Sequence, residues 1–195
     1  MATLKYIREE RESRLLLLGI AEEGESARYT INSKAFEEIG SPSVGDELTD
    51  LQMSVIMYTD KLCRARKKAL SLLAFADNNQ RSLRMKLAKA GFDREISNEV
   101  CCEMVELGYI NEQRQLQRLI LNEANDKLRG PDRIIPALMA KGYSGADIRL
   151  VLHSLVESGE VDFKKNAHTL IEKKLPGADP EEKKKLLYKN GYKIC

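Results

Sequence analysis

Apolar and polar positions change rhythm once along the chain. Residues 15–20 form an apolar run, a turn is expected at Glu23-Gly24-Glu25, and the chain returns through Arg28, Tyr29, Thr30 and Ile31. This pattern predicts a β-hairpin. Residues 4–12 carry no clear period and are expected to fray. A lone hairpin is marginal in water, so it is expected to dock on a short helix through KAFEEIG that closes at Gly40. After a loop at residues 41–45 the period becomes helical and stays so.

Thr49 with Gln52 reads as a capping box, opening a helix with Leu51, Val55, Tyr58 and Leu62 on its inner face. A break near Thr59-Asp60 is allowed but not forced. From Lys61 a first helix carries Ala65, Ala69, Leu72, Leu73 and Ala76 as one stripe, and a second carries Leu83 and Leu87. A third, capped by Asp93, carries Ile96, Val100, Met104 and Val105. Asn111 then opens a helix with Leu116, Leu119, Ile120 and Ala124. With Asp132 as N-cap of the next helix, Pro136 falls at N4, where its missing N–H costs nothing. Ser144 with Asp147 opens a helix bearing Ile148, Val151, Leu152, Leu155 and Val156. Asp162 opens another with Ala167, Leu170 and Ile171, stopped by Leu175-Pro176-Gly177, and Asp179-Pro180 starts the last.

One phrase recurs three times: KLAKAGF at 86–92, ALMAKGY at 137–143 and LLYKNGY at 186–192. Each holds a leucine, three variable residues, a glycine and an aromatic. If each glycine sits at C′ of a helix, the leucine falls at C3 and the aromatic at C″, positions that meet in a Schellman cap. The expected pairs are Leu87 with Phe92 across Gly91, Leu138 with Tyr143 across Gly142, and Leu187 with Tyr192 across Gly191. Gly91 and Gly142 are 51 residues apart, and so are Gly108 and Gly159, which close the third helices. Two landmarks that shift together indicate an internal repeat.

The fold expected is mainly α: tandem three-helix repeats forming an elongated curved body, preceded by a small leader with a β-hairpin. Its parts are an acidic leader with hairpin and short helix at 1–48 and a linking helix at 49–60. Three-helix repeats follow at 61–111 and 112–161, and a truncated third repeat at 162–195. One unit buries few large side chains, so neighbouring units are expected to share a core and to present a broad surface to something long.

Composition agrees with helix packing: 43% hydrophobic residues, no tryptophan and only four phenylalanines. No apolar run approaches a bilayer span, so the protein is expected to be cytoplasmic, with no membrane partner. Its four cysteines form neither a CxxC knuckle nor a regular disulfide pattern, and Cys101 is expected to face the core of a reduced protein. Residues 1–60 carry six Lys/Arg against twelve Asp/Glu, whereas residues 61–195 carry 26 against 18. A basic helical body behind an acidic leader points to an anionic partner, either nucleic acid or an acidic protein surface.

No nucleophile elbow, phosphate loop or dinucleotide fingerprint is present, and His153 and His168 stand apart without ligand-spaced neighbours. The chain therefore reads as a non-enzyme with no cofactor and no metal. The candidate contact residues are basic: Arg64, Arg66, Lys67 and Lys68 on the first helix of the first repeat, and Arg81, Arg84, Lys86 and Lys89 on its second. Lys164, Lys165, Lys173, Lys174, Lys183, Lys184 and Lys185 line the third repeat. Nearby aromatics are mostly committed to caps, which argues against base stacking.

The run KALSLLAFADNNQRSLRMKLAKAGFDREISNEVCCEMVELGYINEQ resembles the RecX regulatory family. The resemblance is carried by Ala69-Leu70 and Leu73, Arg81-Ser82, Leu87 with Gly91-Phe92, and Gly108-Tyr109-Ile110-Asn111, and Lys141-Gly142-Tyr143 repeats the cap. It covers most of residues 61–192. Leu83, Arg84 and Met85 follow Arg81-Ser82, where relatives usually carry an acidic residue. The resemblance implies a monomer that binds the RecA recombinase filament on single-stranded DNA, meeting the DNA through the filament. It also implies restraint of the filament's ATP hydrolysis and strand exchange. The alternative drawn from the charges is a helical module that binds DNA directly, without a recombinase.

Overall fold

The computed structural model describes residues 1–10, 14–22 and 24–193. The chain divides into two compact units, Met1–Ala76 with Arg84–Met104, and Asp77–Leu83 with Val105–Cys195. Helix and strand share the chain as the change of rhythm demands, with strands, among the described residues, confined to the first 48.

In the first unit, β1 (Ala2–Glu10), β2 (Leu15–Glu22), β3 (Glu25–Asn32) and β4 (Glu47–Leu48) form an antiparallel sheet in the order β3-β2-β1-β4. The hairpin of β2 and β3 pairs Leu15 with Asn32 through Glu22 with Glu25; the expected turn residue Glu23 lies outside the described residues. Residues 4–10 do not fray but belong to β1, the inner strand between β2 and β4. A register shift between Leu4 and Tyr6 breaks the two-residue alternation, which hides the strand from a periodicity reading. Opposite the shift, the Tyr6 ring lies over Gly19, where a Cβ would come within 2.1 Å of it. Residues 11 and 12 lie outside the described residues.

The short helix α1 (Ser33–Glu38) is capped by Asn32. Helix α2 (Asp50–Phe75) opens with the reciprocal Thr49–Gln52 capping box and runs unbroken through Thr59-Asp60. Its buried face differs in part from the one expected: Leu62 is buried and Val55 packs on the core as expected, Met53 and Ile56 are buried as well, but Leu51 and Tyr58 are exposed. The sheet decides this, because α2 packs across β3 and joins Leu4, Leu18, Ile20, Ile31 and Leu48 in one core. Asp60 fixes the helix there, accepting from the Thr30 N–H at 2.9 Å and from Arg64 at 2.8 Å.

Helices α3 (Gln80–Lys89) and α4 (Arg94–Glu106) follow, with Leu83, Leu87, Ile96, Val100, Cys101 and Met104 all buried and Val105 exposed. The second unit holds α5 (Glu112–Leu121), a π-helical turn at Asn122–Asp126, α6 (Pro131–Ala140), α7 (Gly145–Glu157), α8 (Phe163–Lys174) and α9 (Pro180–Lys189). Its main core gathers Leu116, Ile120, Ala124, Ile134, Leu138, Tyr143, Ile148, Val151, Leu152 and Leu155; Val156 is exposed. A smaller cluster joins Leu128, Leu170 and Tyr192 with Leu186 and Leu187.

Helix α6 begins earlier than expected. Gly130 is its N-cap and Pro131 its N1 residue, so Pro136 sits inside the helix and not at N4. Pro131 at N1 and the bonds from the Gly130 and Asp132 N–H groups to the Asn190 and Gly191 carbonyls go with this earlier start. Ser144 caps α7 through the Ala146 N–H at 3.2 Å.

Candidate functional site

The thrice-used phrase closes α3, α6 and α9 with the same pair of bonds. The N–H groups of Phe92, Tyr143 and Tyr192 donate to the carbonyls of Leu87, Leu138 and Leu187 at 3.2, 3.3 and 3.1 Å. Those of Gly91, Gly142 and Gly191 donate to Ala88, Met139 and Tyr188 at 3.0, 2.9 and 3.0 Å. This is the Schellman arrangement. Gly108 and Gly159 end α4 and α7 more simply, donating to Val105 and Val156, and the residues buried after them are Ile110 and Val161.

Within the second unit, two of the three phrases are also joints. Asn79, the residue ahead of α3, donates from Nδ2 to the Lys141 carbonyl at 2.9 Å, and the Arg81 stem lies against Gly142. At the start of α6 the N–H groups of Gly130 and Asp132 donate to the carbonyls of Asn190 and Gly191 at 2.8 and 3.1 Å. Arg133 adds a bond from Nε to the Lys189 carbonyl at 2.9 Å. Helix N-termini offer orphan N–H groups and helix C-termini orphan carbonyls, so at the start of α6 each end satisfies the other, whereas ahead of α3 a side-chain amide is the donor. The phrase tyrosines add hydroxyl bonds: Tyr143 donates to Gln115 Oε1 at 2.9 Å and Tyr192 to the Leu128 carbonyl at 3.0 Å.

The basic residues divide by what they touch. Arg66 is half-buried and binds Glu103 at 2.5 Å, tying α2 to α4, and Arg64 holds Asp60. Lys67, Lys68 and Lys89 are exposed; Arg84 and Lys86 are half-buried; and Arg81 is exposed beyond its packed stem. On α8, Lys164, Lys165, Lys173 and Lys174 are exposed, as are Lys184 and Lys185 on α9, while Lys183 is half-buried. Lys184 and Lys185 line a cleft of about 600 Å³ together with Lys193, Tyr192, Asp132, Glu181 and the exposed Tyr188.

Sequence reasoning missed a second group. A cleft of about 510 Å³ beside α5 is lined by Tyr109, Asn111, Arg114, Gln117, Arg118, Leu121 and Asp77, among others. Arg118 pairs with Asp77. Tyr109 looks like a cap residue because it follows Gly108, yet it is exposed while Ile110 takes the buried position. The aromatics are therefore less committed to caps than expected: Tyr109 and Tyr188 both face solvent beside cations.

The buried charge in this unit has a structural partner set. Glu123, in the π-helical turn, binds Lys127 at 2.7 Å and Arg129 at 2.5 Å. Burial alone pushes its carboxyl upward, but the hydrogen bonds and charges of the two cations outweigh that and hold it below the usual range. Asn166 clamps the same turn, donating to the Ala124 carbonyl at 3.0 Å. His153 is exposed and lies 3.2 Å from Glu157; His168 is also exposed. Among the described residues, no group of three or more His, Cys, Asp or Glu is placed to hold a metal ion. Among them too, no helix is long and apolar enough to cross a membrane. Cys101 is buried, Cys102 exposed and Cys63 half-buried, its thiol pushed upward chiefly by burial.

No family model matches the chain. It is similar to curated proteins named Regulatory protein RecX. That of Clostridioides difficile (strain 630) is 26% identical over 161 residues, covering 83% of this chain and 70% of the relative. That of Bacillus cytotoxicus is 25% identical over 152 residues, covering 78% of this chain. The chain spans 55% of the length of this Bacillus relative and of the one from Bacillus mycoides. Among solved structures, one described as regulatory protein RecX superposes with a TM-score of 0.74 over 99% of this chain and 95% of that one, at 16% identity. RecX from Lactobacillus salivarius gives 0.58 over 69% of this chain and 90% of its own, at 18% identity.

Proposed function

Taking the chain as a member of the RecX family, which its sequence relatives and its fold together support, we infer that it is a regulatory protein that acts by binding and not by catalysis. Its partner is the RecA recombinase filament on single-stranded DNA, and its bound form restrains the filament's ATP hydrolysis and strand exchange during recombination and repair. It works in the cytoplasm as a monomer. The observation that carries this reading is the likeness to RecX proteins in both sequence and fold. The exposed lysines of α8 and α9, with Lys67 and Lys68 on α2, are the cations available for the anionic surface of such a partner.

The test is single-stranded-DNA-stimulated ATP hydrolysis by the recombinase, measured with increasing amounts of this protein. A fall in rate that saturates is expected; an unchanged rate at saturating protein refutes the reading. Charge reversal at Lys183 and Lys184, set against reversal at Arg81 and Arg84, locates the face. Equal losses of filament binding from both pairs would exclude a localised one.

The open cations also favour a second reading, direct binding of DNA without a recombinase. That version requires tight binding to naked DNA that weakens steeply as salt rises, because each phosphate contact releases counterions. A protein that acts on the filament holds naked DNA only weakly at physiological salt and needs the recombinase for tight binding.

A further inference from the structure

The cleft beside α5 brings two arginines, Arg114 and Arg118, together with Tyr109. Arg114, Gln117, Arg118 and Leu121 recur at helical spacing and form one ridge, and Tyr109, 55% exposed as a residue, lines the same cleft. Nearby carboxylates are engaged elsewhere or used to aim a cation. Glu112 accepts from the Gln80 N–H at 2.8 Å, and Asp77 holds the Arg118 guanidinium. Arg114 has no carboxylate partner among the described residues. Its planar donor fork matches phosphate oxygens, and a tyrosine face beside it suits a base.

We propose that this cleft takes one nucleotide of a single-stranded nucleic acid, with the base against Tyr109 and the adjoining phosphates on Arg114 and Arg118. A single strand is required because a base inside a duplex cannot offer its face to a side chain. A strand is favoured over a free nucleotide because the track continues. Asp77 and Arg118 also line the next cleft, of about 350 Å³, which adds the exposed Lys141 and Ser82. The backbone can therefore pass from Arg114 across Arg118 to Lys141. This proposal does not depend on a recombinase, and neither does its test.

The test is fluorescence anisotropy of a labelled oligothymidylate titrated with the full chain at low salt. Arg114→Glu is expected to weaken binding by about tenfold or more. Tyr109→Leu, which keeps bulk but removes the ring face, is expected to weaken it by about fivefold or more. Lys5→Glu, on β1 and outside this cleft, is expected to do less than either. Arg114 and Tyr109 are exposed, so unchanged melting temperatures would separate loss of binding from loss of fold. The proposal is overturned if wild-type protein does not bind the oligonucleotide, or if the control weakens binding as much as the cleft variants do. Micromolar displacement by adenosine monophosphate also overturns it, since that would assign the cleft to a free nucleotide.

Discussion

The three phrase glycines provide a graded experiment, because they share a backbone conformation and differ in what faces them. Gly91, Gly142 and Gly191 have φ of 92°, 97° and 86°, so alanine at each meets the same left-handed penalty, about 1 kcal/mol. A Cβ on Gly91 would meet nothing within 4 Å, and on Gly142 it would lie 3.0 Å from Arg81 Cδ, a stem able to move. On Gly191 it would lie 2.5 Å from the Arg133 backbone nitrogen. Backbone cannot swing aside, so the α9 cap must leave the α6 N-terminus. That movement puts at risk the bonds to the carbonyls of Asn190, Gly191 and Lys189, along with the Tyr192 hydroxyl bond to Leu128. At about 0.5–1.5 kcal/mol for each of these four bonds, added to the left-handed penalty, Gly191→Ala should cost about 3–7 kcal/mol in all. Gly142→Ala should cost about 1–2 kcal/mol and Gly91→Ala about 1 kcal/mol. Urea unfolding followed by circular dichroism gives the order, and amide hydrogen exchange at Gly130 and Asp132 shows whether the joint itself has opened. If Gly191→Ala falls within about 1 kcal/mol of Gly91→Ala and the two amides stay protected, the joint does not hold the helices as argued.

Other consequences can be checked separately. Glu123→Gln should destabilise the protein by about 2–3 kcal/mol near neutral pH, because it leaves Lys127 and Arg129 without their carboxylate. The folded-state pKa of Glu123 is lowered, so its contribution is present above the unfolded carboxylate value and fades as pH falls through the folded one. The difference in melting temperature between wild type and variant should therefore shrink in acid; a gap that grows refutes the assignment. Burial pushes the Tyr192 hydroxyl up to about 12, so its contribution is intact below the ordinary value of 10.0 and is lost as pH rises toward 12. Tyr192→Phe should cost about 1–3 kcal/mol by stranding the Leu128 carbonyl, and should flatten alkaline unfolding over that window. Pro136→Ala should stabilise the protein by about 1–3 kcal/mol, since it restores a donor inside α6 at an exposed position; a loss in thermal denaturation would contradict that.

Most of the helices and their ends were legible in the sequence, for local reasons. Helical period, N-cap side chains at Thr49, Asn111, Asp162 and Asp179, and glycines that tolerate positive φ act within one or two turns, so the residues specify them wherever the chain goes. The apolar run through β2 and its return through β3 were legible on the same grounds. What tertiary structure decided was orientation and partnership. The sheet chose which face of α2 is buried and drew residues 4–10 into β1 despite a register shift that erases their period. The α6 N-terminus meets the α9 cap from Gly130 onward, which leaves Pro136 inside the helix. Tyr109 and Arg114 gave no signal of a shared cleft, because a turn and a helix face meet only once α5 is placed against residues far away in the chain. Composition sets how many cations the chain carries; folding alone determines that Arg64 and Arg66 are spent on internal carboxylates while the lysines of α8 stand in water.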